Sequence, residues 1–236
     1  MIRWLAELQG ESFYLEDLPD LFPHGDAYVM VEVGRYFLVG SRLEGLSDGR
    51  EVNDLANQIT DEFAAIAAVF YGHFLRPKVG AIYRERDDGT RSGVHYGVVA
   101  DCVVRTKMRA KLTDTPGPTT AQILHKAAQS SEHLKTALLL WGDPLKTWPR
   151  LYRIVEEVQQ HFSTSANKAG LCTKDELKRF EHSANCAETA GTDSRHALRK
   201  YKAPTNPMSL ADATAFVSGV VRKALERQSS HPLSAV

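Results

Sequence analysis

Lys111-Leu-Thr-Asp-Thr-Pro-Gly-Pro-Thr-Thr, residues 111–120, divides this chain into two parts that read differently. Two prolines flank a glycine among small polar residues, the composition of a linker. Before it, β-branched and aromatic runs alternate with turn residues. After it, apolar residues recur at steps of three and four, the period of a helix with one buried face. The pattern predicts an α+β domain over residues 1–110, a linker over 111–120, a helical bundle over 121–228 and a flexible tail over 229–236.

In the first part, Ala27–Val33 and Tyr36–Ser41 form two strand-like runs around Gly34-Arg35, a hairpin signal. Val52, Leu55, Ile59, Phe63, Ile66 and Phe70 then mark one stripe of a helix over Glu51–Gly72, with Gly72 as its stop. Two further strands are expected near Val79–Arg86 and Val94–Lys107, joined by Asp87-Asp88-Gly89. The order ββαββ suggests a small antiparallel sheet with one packed helix.

In the second part, Ile123, Leu124, Ala127, Leu134, Leu138 and Trp141 make one stripe, ended by Gly142-Asp143-Pro144. Trp148, Leu151, Tyr152, Val155, Val158 and Phe162 make another. Thr-Lys-Asp-Glu at 173–176 spells a capping box that opens a third helix carrying Leu177 and Phe180. The fourth begins at Ser209 with Asp212 three residues on, and bears Leu210, Ala213, Phe216, Val217, Val220, Ala224 and Leu225. Such helices predict a four-helix bundle.

Composition bounds the function class. The longest apolar run, Phe63–Tyr71, is about half a membrane span, and the N-terminus lacks a signal-peptide core. Three cysteines, Cys102, Cys172 and Cys186, offer no disulfide framework, so a reducing cytoplasm is the expected compartment. Residues 1–60 hold eleven acidic and four basic residues in a chain of zero net charge, which leaves the remainder net basic. That asymmetry fits either a basic surface for nucleic acid or two oppositely charged units packed together. No phosphate loop, dinucleotide glycine pattern or nucleophile elbow is present, and no cofactor is expected.

The chemistry concentrates in residues 182–202, a connection longer than compact domains normally use. His182, Cys186, His196 and Asp193 could ligate a metal, although His-x3-Cys-x9-His matches no established signature. Cys186 beside His182 or His196 could be a nucleophile, given a lowered pKa. Arg195 and His196 make a third set, with His182 as a second imidazole and Asn185 to orient the loop. Histidine can move protons near neutral pH, and arginine suits the charge of a phosphorane. Arg199, Lys200 and Lys202 add cations, and Tyr201 a surface on which a base can stack. Alternatively Arg195 and His196 tie the loop to the bundle. His95 and His161 read as packing or surface residues, and Glu156-Glu157 as a solvated helix face.

Four segments carry a resemblance: Thr147-Trp-Pro-Arg-Leu-Tyr-Arg-Ile-Val-Glu-Glu, Arg179-Phe-Glu-His-Ser-Ala-Asn, Gly191-Thr-Asp-Ser-Arg-His-Ala and Pro204-Thr-Asn-Pro-Met-Ser-Leu. Together they look like a group of bacterial proteins whose C-terminal halves are HEPN-like, over roughly residues 119–228. The resemblance implies a HEPN-like four-helix unit acting as a homodimer in RNA-directed stress or antiviral defence, as a metal-independent ribonuclease. RNA and a protein encoded nearby are its implied partners. Arg195, His196 and His182 are then the catalytic candidates, and Arg199, Lys200, Tyr201 and Lys202 the nucleic-acid contacts. Arg195 and His196 are adjacent, whereas the family signature separates Arg and His by four to six residues. A non-catalytic dimerisation or partner-binding module with a ligand-sensing N-terminal domain is the alternative.

Overall fold

The computed structural model describes residues 3–95, 117–191, 194 and 204–230. The chain forms two compact units, Met1–Ala67 with Phe74–Ile123 and Ala68–His73 with Leu124–Val236. It is mixed α and β, and among the described residues no helix is long and apolar enough to cross a membrane.

The first unit opens with strand β1 (Arg3–Gln9), then short helices α1 (Ser12–Leu15) and α2 (Leu18–Leu21). A hairpin, β2 (Tyr28–Glu32) and β3 (Arg35–Val39), is followed by α3 (Ser41–Glu44) and the long α4 (Gly49–Tyr71). Strands β4 (Lys78–Glu85) and β5 (Arg91–His95) complete an antiparallel sheet of order β2-β3-β1-β4-β5. Both expected hairpins and the long helix are present, and Gly72 ends α4 at φ +74°. The remainder of the strand expected over Val94–Lys107 lies outside the described residues.

The ββαββ expectation omits β1, which is the central strand. Trp4, Ala6 and Leu8 are buried on one face, while on the other Leu5 is the one buried residue among Arg3, Glu7 and Gln9, so the alternation of the strand is interrupted only at Leu5. On one face Leu5, Phe37 and Val39 form a core flanked by Tyr28, Met30 and Tyr83. Arg35 lies over the Phe37 and Tyr83 rings and donates to Glu7 at 2.9 Å and to the Tyr83 hydroxyl at 2.6 Å. Arg91 bonds Glu32 and, at 2.8 Å, Glu85. These guanidinium charges are therefore neutralised where they stand.

The second unit contains α5 (Thr120–Gln129), α6 (Glu132–Gly142), α7 (Trp148–His161), α8 (Lys174–Asn185), α9 (Ala187–Ala190) and α10 (Leu210–Ser230), the first turn of α5 falling in the other unit. Helix α7 packs against α6 and α10 and touches α8, and α10 also meets α6 and α8. Two expectations need correction. The stripe from Ile123 to Trp141 is two helices, because Ser131 leaves helical geometry (φ −151°) and its hydroxyl caps α6 by accepting from Leu134 N. Residues 229 and 230, expected in a flexible tail, belong to α10, which runs through Ser230; the rest of the expected tail lies outside the described residues.

The β2–β3 turn is Val33-Gly34, one residue earlier than the sequence suggests, with φ +49° and +73°. Such two-residue turns favour asparagine and glycine. Val33 is a β-branched residue in the left-handed region and is 95% exposed, so its side chain offsets little of that strain. Val33→Asn is expected to stabilise the fold by about 1 kcal/mol, read from the urea midpoint. A lowered midpoint would show that Val33 makes contacts the hairpin needs.

Candidate functional site

Helix α8 leads into the long connection. Its capping box is formed: Thr173 N donates to Glu176 Oε2 at 2.8 Å, and Glu176 N donates to Thr173 Oγ1 at 3.2 Å. Leu177, Phe180, Ser183 and Ala184 turn inward, and Phe180 sits among the rings of Trp148, Tyr152 and Phe216. The opposite side exposes His182. Burial pushes the neighbouring Glu181 carboxyl above its ordinary range. Asn185 Nδ2 donates back to Glu181 O at 2.8 Å, while its Oδ1 is buried without a partner among the described residues. Cys186 ends the helix and is fully buried, and in α9 Thr189 Oγ1 is buried and unpaired in the same sense.

The far end of the connection returns to the same helix. Met208 N donates to the buried Ser183 Oγ at 2.9 Å. Arg179 donates to Asn206 O at 2.8 Å, to Pro207 O at 3.1 Å and to Asn206 Oδ1 at 3.3 Å. Residues 206–208, beyond the segment, are thus held within two turns of the point where it leaves α8. Arg179 is a clamp that the sequence did not point to; Arg195 and His196, offered for that task, are not among the described residues. Of the predicted site, His182 and Asn185 are described and lie one turn apart on α8. Arg195, His196, Arg199, Lys200, Tyr201 and Lys202 lie outside the described residues, as does Asp193 of the metal candidate. Among the described residues no group of three His, Cys, Asp or Glu side chains could hold a metal ion.

A second polar constellation escaped the sequence reading. Glu157 is 6% exposed, not solvated. It is held by His133 Nδ1 at 2.7 Å and Arg153 Nη2 at 2.6 Å. Burial alone would raise its pKa, but the His133 and Arg153 hydrogen bonds prevail and keep the carboxyl below its usual range. One turn on, His161 Nδ1 meets Ser131 Oγ at 2.9 Å and Nε2 meets Gln228 Oε1 at 3.1 Å. Gln228 Nε2 donates to Ser130 Oγ at 2.9 Å, and Ser130 Oγ donates to Ala127 O at 2.7 Å. Positions 154, 157, 158 and 161 share one side of α7, and that spacing was the only signal available. Ser130 and Ser131 arrive from the junction of α5 and α6, His133 from α6 and Gln228 from α10.

Burial holds the His161 imidazole below its ordinary 6.5; the Gln228 hydrogen bond opposes this, and the charge of His133 adds to it. The folded chain therefore binds this proton more weakly than the unfolded chain does. Stability is full above about pH 6.5 and falls as the pH drops below it. Glu157, lowered in the fold, adds a further loss at lower pH, as its carboxylate takes up a proton. The urea midpoint is expected to decline between about pH 7 and pH 5, and His161→Gln to flatten that decline. Equal slopes for the two proteins would sink the assignment. In comparisons with protein-family models, curated proteins and solved structures, none matches this chain.

Proposed function

We propose that the chain has an RNA-directed stress or defence role, and that its second unit is a HEPN-like four-helix ribonuclease acting without metal as a homodimer. In this reading Arg195, His196 and His182 surround the scissile phosphate. One imidazole takes the proton of the 2′-hydroxyl as it attacks phosphorus, and the other returns a proton to the departing 5′-oxygen. Arg195 bonds the non-bridging oxygens as their charge grows. Asn185 orients the loop, Arg199, Lys200 and Lys202 hold neighbouring phosphates, and a base stacks on Tyr201.

The observation that carries this reading is the double tether on α8. Arg179 and Ser183 hold residues 206–208, which follow the cationic connection, on the helix that exposes His182. Packing of α7 with α6, α8 and α10 supports the bundle. On the sheet of the first unit, Arg35 and Arg91 are poor phosphate ligands, because they already carry Glu7, Glu32 and Glu85. RNA contact is therefore assigned to the second unit.

A second reading, a partner-binding module without turnover, draws on Val31, which is 51% exposed on edge strand β2, and on Val33 beside it. Cleavage of labelled total RNA and tRNA in EDTA separates the two. Wild type is expected to cut, leaving 2′,3′-cyclic phosphate ends, and His196→Ala to lose about 100-fold or more. His182→Ala is expected to lose a comparable factor. Absence of EDTA-resistant cleavage by wild type, or unchanged rates in both folded variants, favours the partner-binding module.

A further inference from the structure

The hydrogen-bond chain through His161 has one direction, and it ends on a hydroxyl. Ala127 O accepts the Ser130 hydroxyl proton, so Ser130 Oγ is an acceptor toward Gln228 Nε2. That fixes the Gln228 amide with Oε1 facing His161 Nε2, and a carbonyl oxygen can only accept. Nε2 therefore carries the imidazole proton and Nδ1 is bare. The remaining partner of Nδ1 is Ser131 Oγ at 2.9 Å, which must donate. An ordinary N-cap serine needs only to accept from the helix, as Ser131 does from Leu134 N. Here its proton is directed at a free base, and the base is held by a third group. That is the geometry of an activated nucleophile.

The surroundings suit the same chemistry. Ser131 is half-buried at the start of the eleven-residue α6, where the first amides, those of Glu132 and His133, have no intrahelical acceptor. Such amides can receive an oxyanion beside the serine. The groups facing His161 are Ser131 from α6, Gln228 from α10 and the nearby His133, itself engaged by Glu157. Glu157 is bound by Arg153 and His133, so no free carboxylate competes for the imidazole in this cluster.

We propose that Ser131 is a nucleophile with His161 as its general base, and that it takes the acyl group of a small activated ester. Oγ bonds to the carbonyl carbon while its proton passes to His161 Nδ1. The carbon–oxygen bond to the leaving group then breaks, and the departing alkoxide receives that proton. Water attacks the acyl-serine by the same route, releasing the acid and restoring the hydroxyl. The net reaction is ester plus water to acid plus alcohol, with no redox change. This site is separate from residues 182–202 and does not depend on the ribonuclease reading.

The test uses the full chain with two probes, a fluorophosphonate and p-nitrophenyl acetate. Mass spectrometry after digestion is expected to find the phosphonyl adduct on Ser131, with loss of fluoride. Ser131→Asn keeps an N-cap oxygen for α6 but lacks the hydroxyl, and is expected to abolish the adduct in a folded protein. His161→Gln is expected to slow labelling and ester hydrolysis by about 100-fold or more. It should also remove the rise in wild-type rate as His161 loses its proton with increasing pH. No adduct, an adduct only on other residues, or an unchanged rate and pH profile in folded His161→Gln overturns the proposal.

Discussion

A carboxylate cannot remain charged inside a helical core without partners, and Glu157 imposes that demand on the second unit. An unpaired buried charge costs several kcal/mol. Glu157 is therefore met by Arg153 from its own helix and His133 from α6. One turn later His161 repeats the demand with a neutral ring, answered by Ser131 and Gln228. Helix α7 thus fixes where α6 starts and how α10 lies against it. Apolar packing of Leu151, Ile154, Val155 and Val158 would by itself tolerate sliding. Hydrogen bonds from the same face do not, because each has one geometry.

The first unit solves a different problem. Its central strand buries Trp4, Ala6 and Leu8 on one face and Leu5 on the other, so both sides of the sheet carry apolar surface to cover. One face has a small core of Leu5, Phe37 and Val39, roofed by Arg35 against Tyr83 and Phe37. Arginine does this well, since its planar group stacks on rings while its edge bonds carboxylates. The consequence for function is that Arg35 and Arg91 on this sheet are already engaged by carboxylates.

The two constellations of the second unit differ in how they are built. Residues 182–202 are close in sequence, and α8 holds the chain just beyond them, at 206–208, through Arg179 and Ser183. The Ser131–His161–Gln228 chain is assembled across three helices, with 30 and 67 residues separating its hydrogen-bonded pairs. A local cluster can be noticed in a sequence because its members are neighbours. An assembled one has no such mark.

Local sequence signals determined the long helices, the two hairpins to within one residue at the Val33-Gly34 turn, the turn at Asp87–Gly89 and the caps at Thr173 and Ser209, because each depends on contacts within a few residues. They also singled out the polar connection after α8. They did not reveal β1 although Trp4, Ala6 and Leu8 alternate with Arg3, Glu7 and Gln9, because Leu5 interrupts the pattern and only pairing with β3 and β4 makes the segment the central strand. They could not separate α5 from α6, since one stripe runs through both. Glu157 passed for a solvated acid because its partner His133 lies 24 residues away. Burial, the direction of the His161 hydrogen bonds and the bare imidazole nitrogen were decided by tertiary structure. They depend on which side chains from distant segments converge, and the order of residues along one helix does not contain that information.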